Sequence, residues 1–544
     1  MRYLRSRGVV SVAAALVVYF GLLVWMQQYL GAPQAEFGGT EFPDEASHYI
    51  SGLMLHDYLT KGLPQWPLSY ATRYYIHIPY FAIGYWPPMF YVAESLWMIC
   101  FGTTRGEVLL LTALISALLA TLLFMTVRKT VGGLAAFGIG LLFLLSPVVQ
   151  QSSNAIMTDL PVALGTFAAV LALARYLDSE RIGYSILFGV LASCTILTKS
   201  SGLILGALPA AAVLLTGKLH LLKRFSFWVM AIVVVVLCGP WFLMTRNLIS
   251  IGFVGIDKTF SGSFAYFSLS VWHNLGLLLV FSLLGAWRLI SRRSLGGLAA
   301  ICLIEPVVAL VFFAVSPTAN EPRYMIAAYA PLLVLAASGF QWIGEMAAAR
   351  FSSGRNLAPI AMPVLMTVLV IFAASAWLFQ FPRIVPSQVR PIAEFVTSHP
   401  YKAVLVNTDS EGPTIAGIAS LESQRAGDRF LIRPNKLLAR INWMGTWYEC
   451  RYRTPEEIEA VLEQMPVDLV ILRRNTPPTA LRHEILLHQA VFETFPVRWR
   501  KVYSVSSAGA DYDFFEPARK PTISEPLMEK TLKQLLGGRF LSSE

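Results

Sequence analysis

An unbroken apolar run from Val9 to Met26 opens the chain. Further apolar segments follow at roughly 107–127, 132–150, 158–177, 183–199, 201–217, 225–245, 269–288, 296–315, 324–343 and 357–379. Several approach the roughly 20 residues that an α-helix needs to cross a hydrocarbon core. The hydrophilic breaks between them share cations unevenly. Arg128/Lys129, Arg175/Arg181, Lys218/Lys223/Arg224, Arg288/Arg292/Arg293 and Arg350/Arg355 alternate with breaks poorer in Lys and Arg. With the basic amino terminus MRYLRSRG, that alternation assigns the basic breaks to the cytoplasmic side. The segment IGYWPPMFYVAESLWMICFG, residues 83–102, would invert the bias if it crossed fully. It is therefore expected along the outer interface, as a helix begun by Pro87 and Pro88 and closed near Gly102. The pattern predicts a polytopic α-helical membrane protein of about eleven spans plus this interfacial helix, with a large first outer loop (about 31–105). The short pair 183–199 and 201–217 also fits one broken hairpin.

From about residue 386 the pattern changes. KAVLVNT and VDLVILR read as buried strands, PTIAGIASLES and TPEEIEAVLEQM as helices, the latter with Thr454 at the N-cap, Pro455 at N1 and Glu457 at N3. Residues 1–385 thus form the membrane domain, and 386–544 an α/β domain outside the membrane. Its DSEG segment, 409–412, reads as a strand-to-helix turn.

Composition supports this picture. The 544 residues are 55% hydrophobic and only 14% charged, too apolar for soluble domains alone. The first run resembles a secretory signal, with APQA as a cleavage site, but its 18 apolar residues exceed the usual signal core and predict an uncleaved span. The net charge of +10 resides in span-flanking breaks without the aromatic interleaving of a nucleic-acid surface. Four of the five cysteines lie in apolar segments, and Cys450 alone cannot staple the outer domain. No internal repeat of the kind common in transporters is visible.

Charge is scarce, so its placement is informative. Asp44 and Glu45 stand side by side in EFPDEASHYISGLML just beyond the first span, and Asp159 precedes Pro161 at the start of another. Each acid has a local reading, Asp44 or Asp159 as helix caps and Glu45 as a complement to the helix dipole. Each also has a chemical one, as base or substrate contact near the membrane surface. Lys199 interrupts two apolar runs, Arg246 follows GPW, Arg323 precedes Tyr324, and Arg73 lies in TRYYIHIPY. Cations at such places either snorkel or hold an anion. His48, four residues after Asp44, shares its helical face, but two side chains make an incomplete metal site. His77 carries a surface or capping reading. The aromatic cluster at 66–86 fits an interfacial belt, and Trp86, Tyr85 and Tyr91 also fit the wall of a donor cavity.

Taken in order, the Asp44-Glu45 loop, the Pro-Pro aromatic segment ending in Phe-Gly, SPVVQQSSNAIMTDLPVAL, ILTKSSGLIL, GPWFLMTRNL and EPRYMIAAYAPLL resemble the GT-C glycosyltransferases. The likeness covers roughly residues 1–345 and is closest to the branch of protein O-mannosyltransferases and lipid A aminoarabinose transferases. It implies inverting transfer of a sugar from a polyprenyl-phosphate carrier to an acceptor hydroxyl of an envelope lipid, glycan or protein. That transfer would occur at the outer face of a cell inner membrane. Asp44 then matches the first-loop catalytic acid, and Asp159 faces the same cavity. Lys199, Arg246, Arg323 and Arg73 are candidates for the donor phosphate, with Glu45, Tyr324 and Trp86 lining the substrate site. No cofactor is implied; a divalent metal is compatible but unsupported. Trp86-Pro87-Pro88 stands where the protein-modifying branch usually has His-Pro-Pro, and that branch's β-trefoil domain has no counterpart, which disfavours protein acceptors. Two other readings remain: a ligase using a pyrophosphate-linked oligosaccharide, and a transporter or lipid flippase.

Overall fold

A computed structural model describes residues 2–38, 42–63, 65–81, 84–252, 257–291, 295–350, 358–378, 384, 389–422, 429–441, 447–507 and 509–535. Arg292, Arg293 and Arg355, the side chain of Arg350 and the expected boundary at 385/386 lie outside the described residues. The chain opens with α1 (Arg2–Leu30), and its first loop folds into α2 (Glu45–Asp57), α3 (Pro67–His77) and α4 (Met89–Phe101). The helical unit continues through α5 (Arg105–Val131), α6 (Gly133–Leu145), α7 (Pro147–Ser153), α8 (Asp159–Ser179), α9 (Ile182–Ile196) and α10 (Leu208–Thr216). It closes with α11 (Phe225–Gly252), α12 (Phe260–Leu275), α13 (Leu277–Ile290), α14 (Gly297–Val315), α15 (Ile326–Arg350) and α16 (Ala358–Ala373).

This is a multi-pass helical membrane protein. Among the described residues six helices are long and apolar enough to cross, or eight if each of two bent pairs counts as one span. The expected run at 269–288 is broken at Gly276 (φ 51°), where α12 and α13 meet at 105°. The 132–150 run bends by 69° between α6 and α7, at Ser146-Pro147. Hydropathy reports apolarity and not straightness, so neither bend shows in the pattern. Helix α9 and the stretch Ser200–Thr216 are apolar but shorter than 18 residues. Helix α4 starts after Pro88 and ends at Gly102 (φ 108°), as the Pro-Pro and Gly signals predict. Its 13 residues rise only about 20 Å, short of a ~30 Å core.

Helix α5 organises the unit. It begins on a full capping box: Glu107 N–H donates to Thr104 Oγ1 (3.4 Å) and Thr104 N–H to Glu107 Oε2 (2.8 Å). Its 27 residues, about 40 Å long, carry the first-loop end to one face and Arg128/Lys129 to the other. The apolar windows of α5, α8 and α15 are each 67% buried and form the core, whereas that of α11 is 17% buried and packs at the rim.

The carboxyl-terminal region is α/β. After α17 (Arg390–Ser398), a five-stranded sheet of order β2-β1-β5-β7-β6 combines β1 (Ala403–Asn407), β2 (Phe430–Ile432), β5 (Leu469–Arg473), β6 (Trp499–Ser507) and β7 (Ala510–Pro517). The first three run parallel, with β7 and β6 added antiparallel. The short β3 (Ala439–Ile441) and β4 (Tyr448–Cys450) pair separately. The helices are α18 (Glu411–Leu421), α19 (Pro434–Leu437), α20 (Pro455–Gln464), α21 (Arg482–Gln489) and α22 (Glu525–Leu535). Strands β1 and β5 coincide with the two apolar runs expected. Thr454 caps α20 as predicted, but Glu457 reaches back to the Arg453 amide (2.6 Å) rather than to that of Thr454.

This region is docked on the first loop. Helix α18 packs against α2, and the Tyr80 ring lies where a Cβ on Gly412 would be. Arg433 lies over the Tyr80 ring (4.4 Å), pairs with Glu411 (2.7 Å) and donates to Pro79 O (3.1 Å). The residues DSEG form the turn into α18, as read from sequence.

Helices α13 and α15 cross with backbones in contact: a Cβ on Gly285 would strike Leu335 O, and one on Gly339 would strike Phe281 O. Gly285→Leu is therefore expected to cost about 1–3 kcal/mol through overpacking, lowering the thermal midpoint in detergent. Gly239→Leu, whose Cβ meets open space, is the control and is expected to change stability by less than about 0.5 kcal/mol.

Candidate active site

Asp44 and Glu45 follow Pro43 at the start of α2, and because successive helical residues point about 100° apart they find different surroundings. The Glu45 carboxylate, 1% exposed, accepts from Arg105 Nη2 (2.8 Å), Arg105 Nε (3.1 Å) and the Ile156 amide (3.0 Å). Arg105 also donates to the carbonyls of Ala32 and Asn154. Glu45 thus ties α2 to α5, to the end of α1 and to the loop before Asp159.

Asp44 occupies the N-cap position in helical conformation (φ −77°, ψ −17°) but makes no side-chain cap bond, so the capping reading is not realised. Its Oδ2 lies 3.5 Å from Arg323 Nη2. Asp159, the first residue of α8, accepts from Lys199 Nζ (2.7 Å), and its Oδ2 lies 3.6 Å from Arg323 Nε. Thr158 makes no cap bond either. Arg323, in the 3₁₀ turn Pro322–Met325, stands between the two aspartates, with Glu321 3.9 Å from its Nη2.

The cations rest on aromatic rings. Lys199 Nζ is 4.6 Å from the Tyr324 ring centre, and the Arg323 guanidinium is 5.3 Å from Phe42 and 5.7 Å from Tyr324. Lys199 reaches the site because the chain becomes extended at this residue (φ −157°), between α9 and the 3₁₀ turn Ser200–Gly206. Arg323 Nε and Nη1, Asp159 Oδ2 and Thr158 Oγ1 are buried without a hydrogen-bond partner among the described residues. Buried donors are seldom left unpaired, so guanidinium N–H groups in this state suit an incoming anion.

Charges near the cluster are tuned. Desolvation pushes the Asp44 carboxyl above the ordinary aspartate range, with Arg323 and then Lys199 pulling it back. Burial, then Lys199, holds His48 neutral with a pKa lowered to about 3, Asp159 opposing and Arg323 assisting. His48 Nδ1 is 2.8 Å from Tyr91 Oη, and its ring packs on Trp86 (4.3 Å).

The family model described as dolichyl-phosphate-mannose-protein mannosyltransferase matches residues 86–243, a stretch holding Trp86, Asp159 and Lys199. No curated protein matches. Among solved structures the chain is similar to ArnT of Cupriavidus metallidurans bound to undecaprenyl phosphate: TM-score 0.61 at 16% identity, covering 95% of this chain and 99% of that one. It has the GT-C fold. The apo form of the same ArnT superimposes with TM-score 0.59 at 16% identity, over 94% and 98% of the two chains. The archaeal oligosaccharyltransferase AglB of Archaeoglobus fulgidus, in complex with an inhibitory peptide and a dolichol-phosphate, gives 0.52 at 13%, over 92% of this chain and 74% of that one.

Within this GT-C fold, Asp44, Asp159, Lys199, Arg323 and Tyr324 converge, with Trp86 one ring away behind His48. The other three expected residues lie elsewhere. Glu45 is spent on Arg105, an anchoring task. Arg246 is exposed near the end of α11 and contacts neither aspartate. Arg73 pairs with Glu525 and Glu529 of α22. Sequence reasoning missed Glu321 and Arg105. The EPRY adjacency carried a signal for Glu321, but nothing in FGTTRGEV distinguishes Arg105 from an interfacial cation. Glu45→Gln is expected to destabilise the protein by about 3–5 kcal/mol, because it leaves the Arg105 charge buried without its counter-ion. Thermal melting of the purified variant in detergent measures this.

Proposed function

We propose that the protein is a membrane glycosyltransferase that moves a sugar, with inversion, from a polyprenyl-phosphate carrier to an acceptor hydroxyl at the outer face of the membrane. The observation that carries this reading is Arg323, with buried unpaired N–H groups, set between two aspartates and beside Lys199. Two kinds of charge are thereby held at one point: a carboxylate to take a proton and cations to receive a phosphate. The polyprenyl phosphate is carried over from ArnT and AglB, solved with undecaprenyl phosphate and dolichol-phosphate.

In this mechanism Asp44 accepts the proton of the acceptor hydroxyl, and its raised pKa favours acceptance. The hydroxyl oxygen forms its bond to the anomeric carbon as the carbon–oxygen bond to the carrier phosphate breaks on the opposite side. The released phosphate charge is met by Arg323 and Lys199. Asp159 holds those two cations in register, and neutral His48 adds no competing charge. Trp86 and Tyr324 supply apolar faces beside the sugar. The acceptor is an envelope lipid, glycan or protein, and no step uses Arg246 or Arg73.

Asp44→Asn keeps the side chain's size and cannot take a proton. It is expected to lower turnover about 10²–10⁴-fold with donor affinity nearly unchanged. Wild-type turnover of a polyprenyl-phosphate sugar by this variant removes Asp44 as the base. The acid limb of kcat/KM is expected above the ordinary aspartate value of ~3.9, because the Asp44 carboxyl is desolvated. Arg323→Gln, removing the chief influence that lowers this pKa, should move the limb further up. For orientation, a cysteine introduced beside Arg128 is expected to resist a membrane-impermeant label that modifies one beside Asp44. The reverse pattern overturns the outer-face assignment.

A further inference from the structure

Arg73 and His77 lie one turn apart on α3 and face α22, away from the aspartate cluster. Arg73 Nε donates to Glu529 Oε1 (2.8 Å) and Nη2 to Glu525 Oε1 (2.6 Å). His77 is 2% exposed, and its ring stacks on Phe430 of β2 at 4.1 Å. Its Nδ1 is 3.2 Å from Arg429 O, and its Nε2 is 3.5 Å from Glu529 Oε1.

A neutral imidazole has one N–H and here faces two acceptors. In the tautomer that donates to the nearer acceptor, Arg429 O, the Nε2 lone pair faces a carboxylate oxygen. Two acceptors aimed at one another 3.5 Å apart, one of them on a buried ring, form a place for a cation. A backbone carbonyl on the far ring nitrogen is also the arrangement that orients metal-bound histidines. One ligand atom each from His77, Glu525 and Glu529 lie within 4.8 Å of one another. Zinc bonds of about 2.0–2.2 Å require the ligands to close in by only small side-chain rotations. The side chains of Glu525 (53% exposed) and Glu529 (31% exposed) leave the cluster open to solution.

We propose that His77, Glu525 and Glu529 form a divalent-metal site, suited to zinc, that clamps α22 onto the first loop, and that Arg73 holds its carboxylates when no metal is bound. The imidazole favours zinc over calcium or magnesium, and three protein ligands leave the fourth position to water. Metal and guanidinium exclude each other, because both need the same carboxylate oxygens and repel at that range. The site stands apart from the proposed chemistry and does not depend on it.

The test is isothermal titration of zinc into the purified, chelator-stripped full chain in detergent. One zinc per chain is expected. His77→Ala and Glu525→Gln should each weaken uptake about tenfold or more, comparable to losing a metal's supporting contacts. Arg73→Gln should tighten it roughly tenfold by removing the competing charge. Glu525 is half exposed, so Glu525→Gln tests the site even if His77→Ala fails to fold. No zinc uptake by the wild type, as expected if a protonated His77 bridges both acceptors, overturns the proposal. So does wild-type affinity in Glu525→Gln, or weaker binding in Arg73→Gln.

Discussion

The buried pair of Glu45 and Arg105 holds the rest of the site in place. Two opposite charges removed from water are costly, and they repay that cost only when their remaining hydrogen-bonding capacity is filled. Here the Ile156 amide fills it on the carboxylate, and the Ala32 and Asn154 carbonyls on the guanidinium. The interaction therefore joins four separate stretches of chain: the end of α1, the start of α2, the start of α5 and the loop leading into α8. Asp44 and Asp159 are each within a few residues of one of its members. With that pair in place, Asp44 needs no capping bond of its own and its carboxylate is free to face Arg323.

Around this anchor the cluster is balanced rather than neutralised pair by pair. Asp159 is in close contact with Lys199, while both aspartates stand 3.5–3.6 Å from Arg323, at ion-pair distance and without ideal hydrogen-bond geometry. Such a guanidinium can exchange Asp159 for the oxygens of an incoming anion without leaving that aspartate unpaired, since Lys199 remains on it. The rings of Phe42 and Tyr324 support the two cations from the side and exclude water there. In a desolvated site the same charges act more strongly on a reacting phosphate than they would in water.

The carboxyl-terminal region belongs to the same construction. The Pro79-Tyr80 segment is gripped from one side by Arg433 and the open Cα of Gly412, and from the other by Ser47, whose Oγ donates to Tyr80 O (2.7 Å). Ser47 is three residues after Asp44 on the same helix. The α/β region thus meets the helix that carries the proposed base twice, through Tyr80 and directly where α18 packs on α2.

What the sequence determined by itself was the setting and the ends of elements. Apolar runs, cation-rich breaks, the Pro-Pro start and Gly102 stop of α4, the two strands and the Thr454 cap all rest on local chemistry, and each was legible without a fold. Placing Asp44, Asp159, Lys199 and Arg323 as site residues took, in addition, their order along a family-like chain. Tertiary structure decided the partners. Glu45 looks like Asp44 in the sequence, and only its 100° offset around α2 sends it to Arg105. Arg246 and Arg323 look alike at span ends, yet one is turned outward and the other is buried between two acids. Arg73 reads as a phosphate ligand until α22, more than 450 residues later, meets it with two carboxylates. The bends at Gly276 and Ser146-Pro147 belong to the same class. Hydropathy averages over direction, whereas the contacts that define a site depend on which way each side chain points once distant segments have packed.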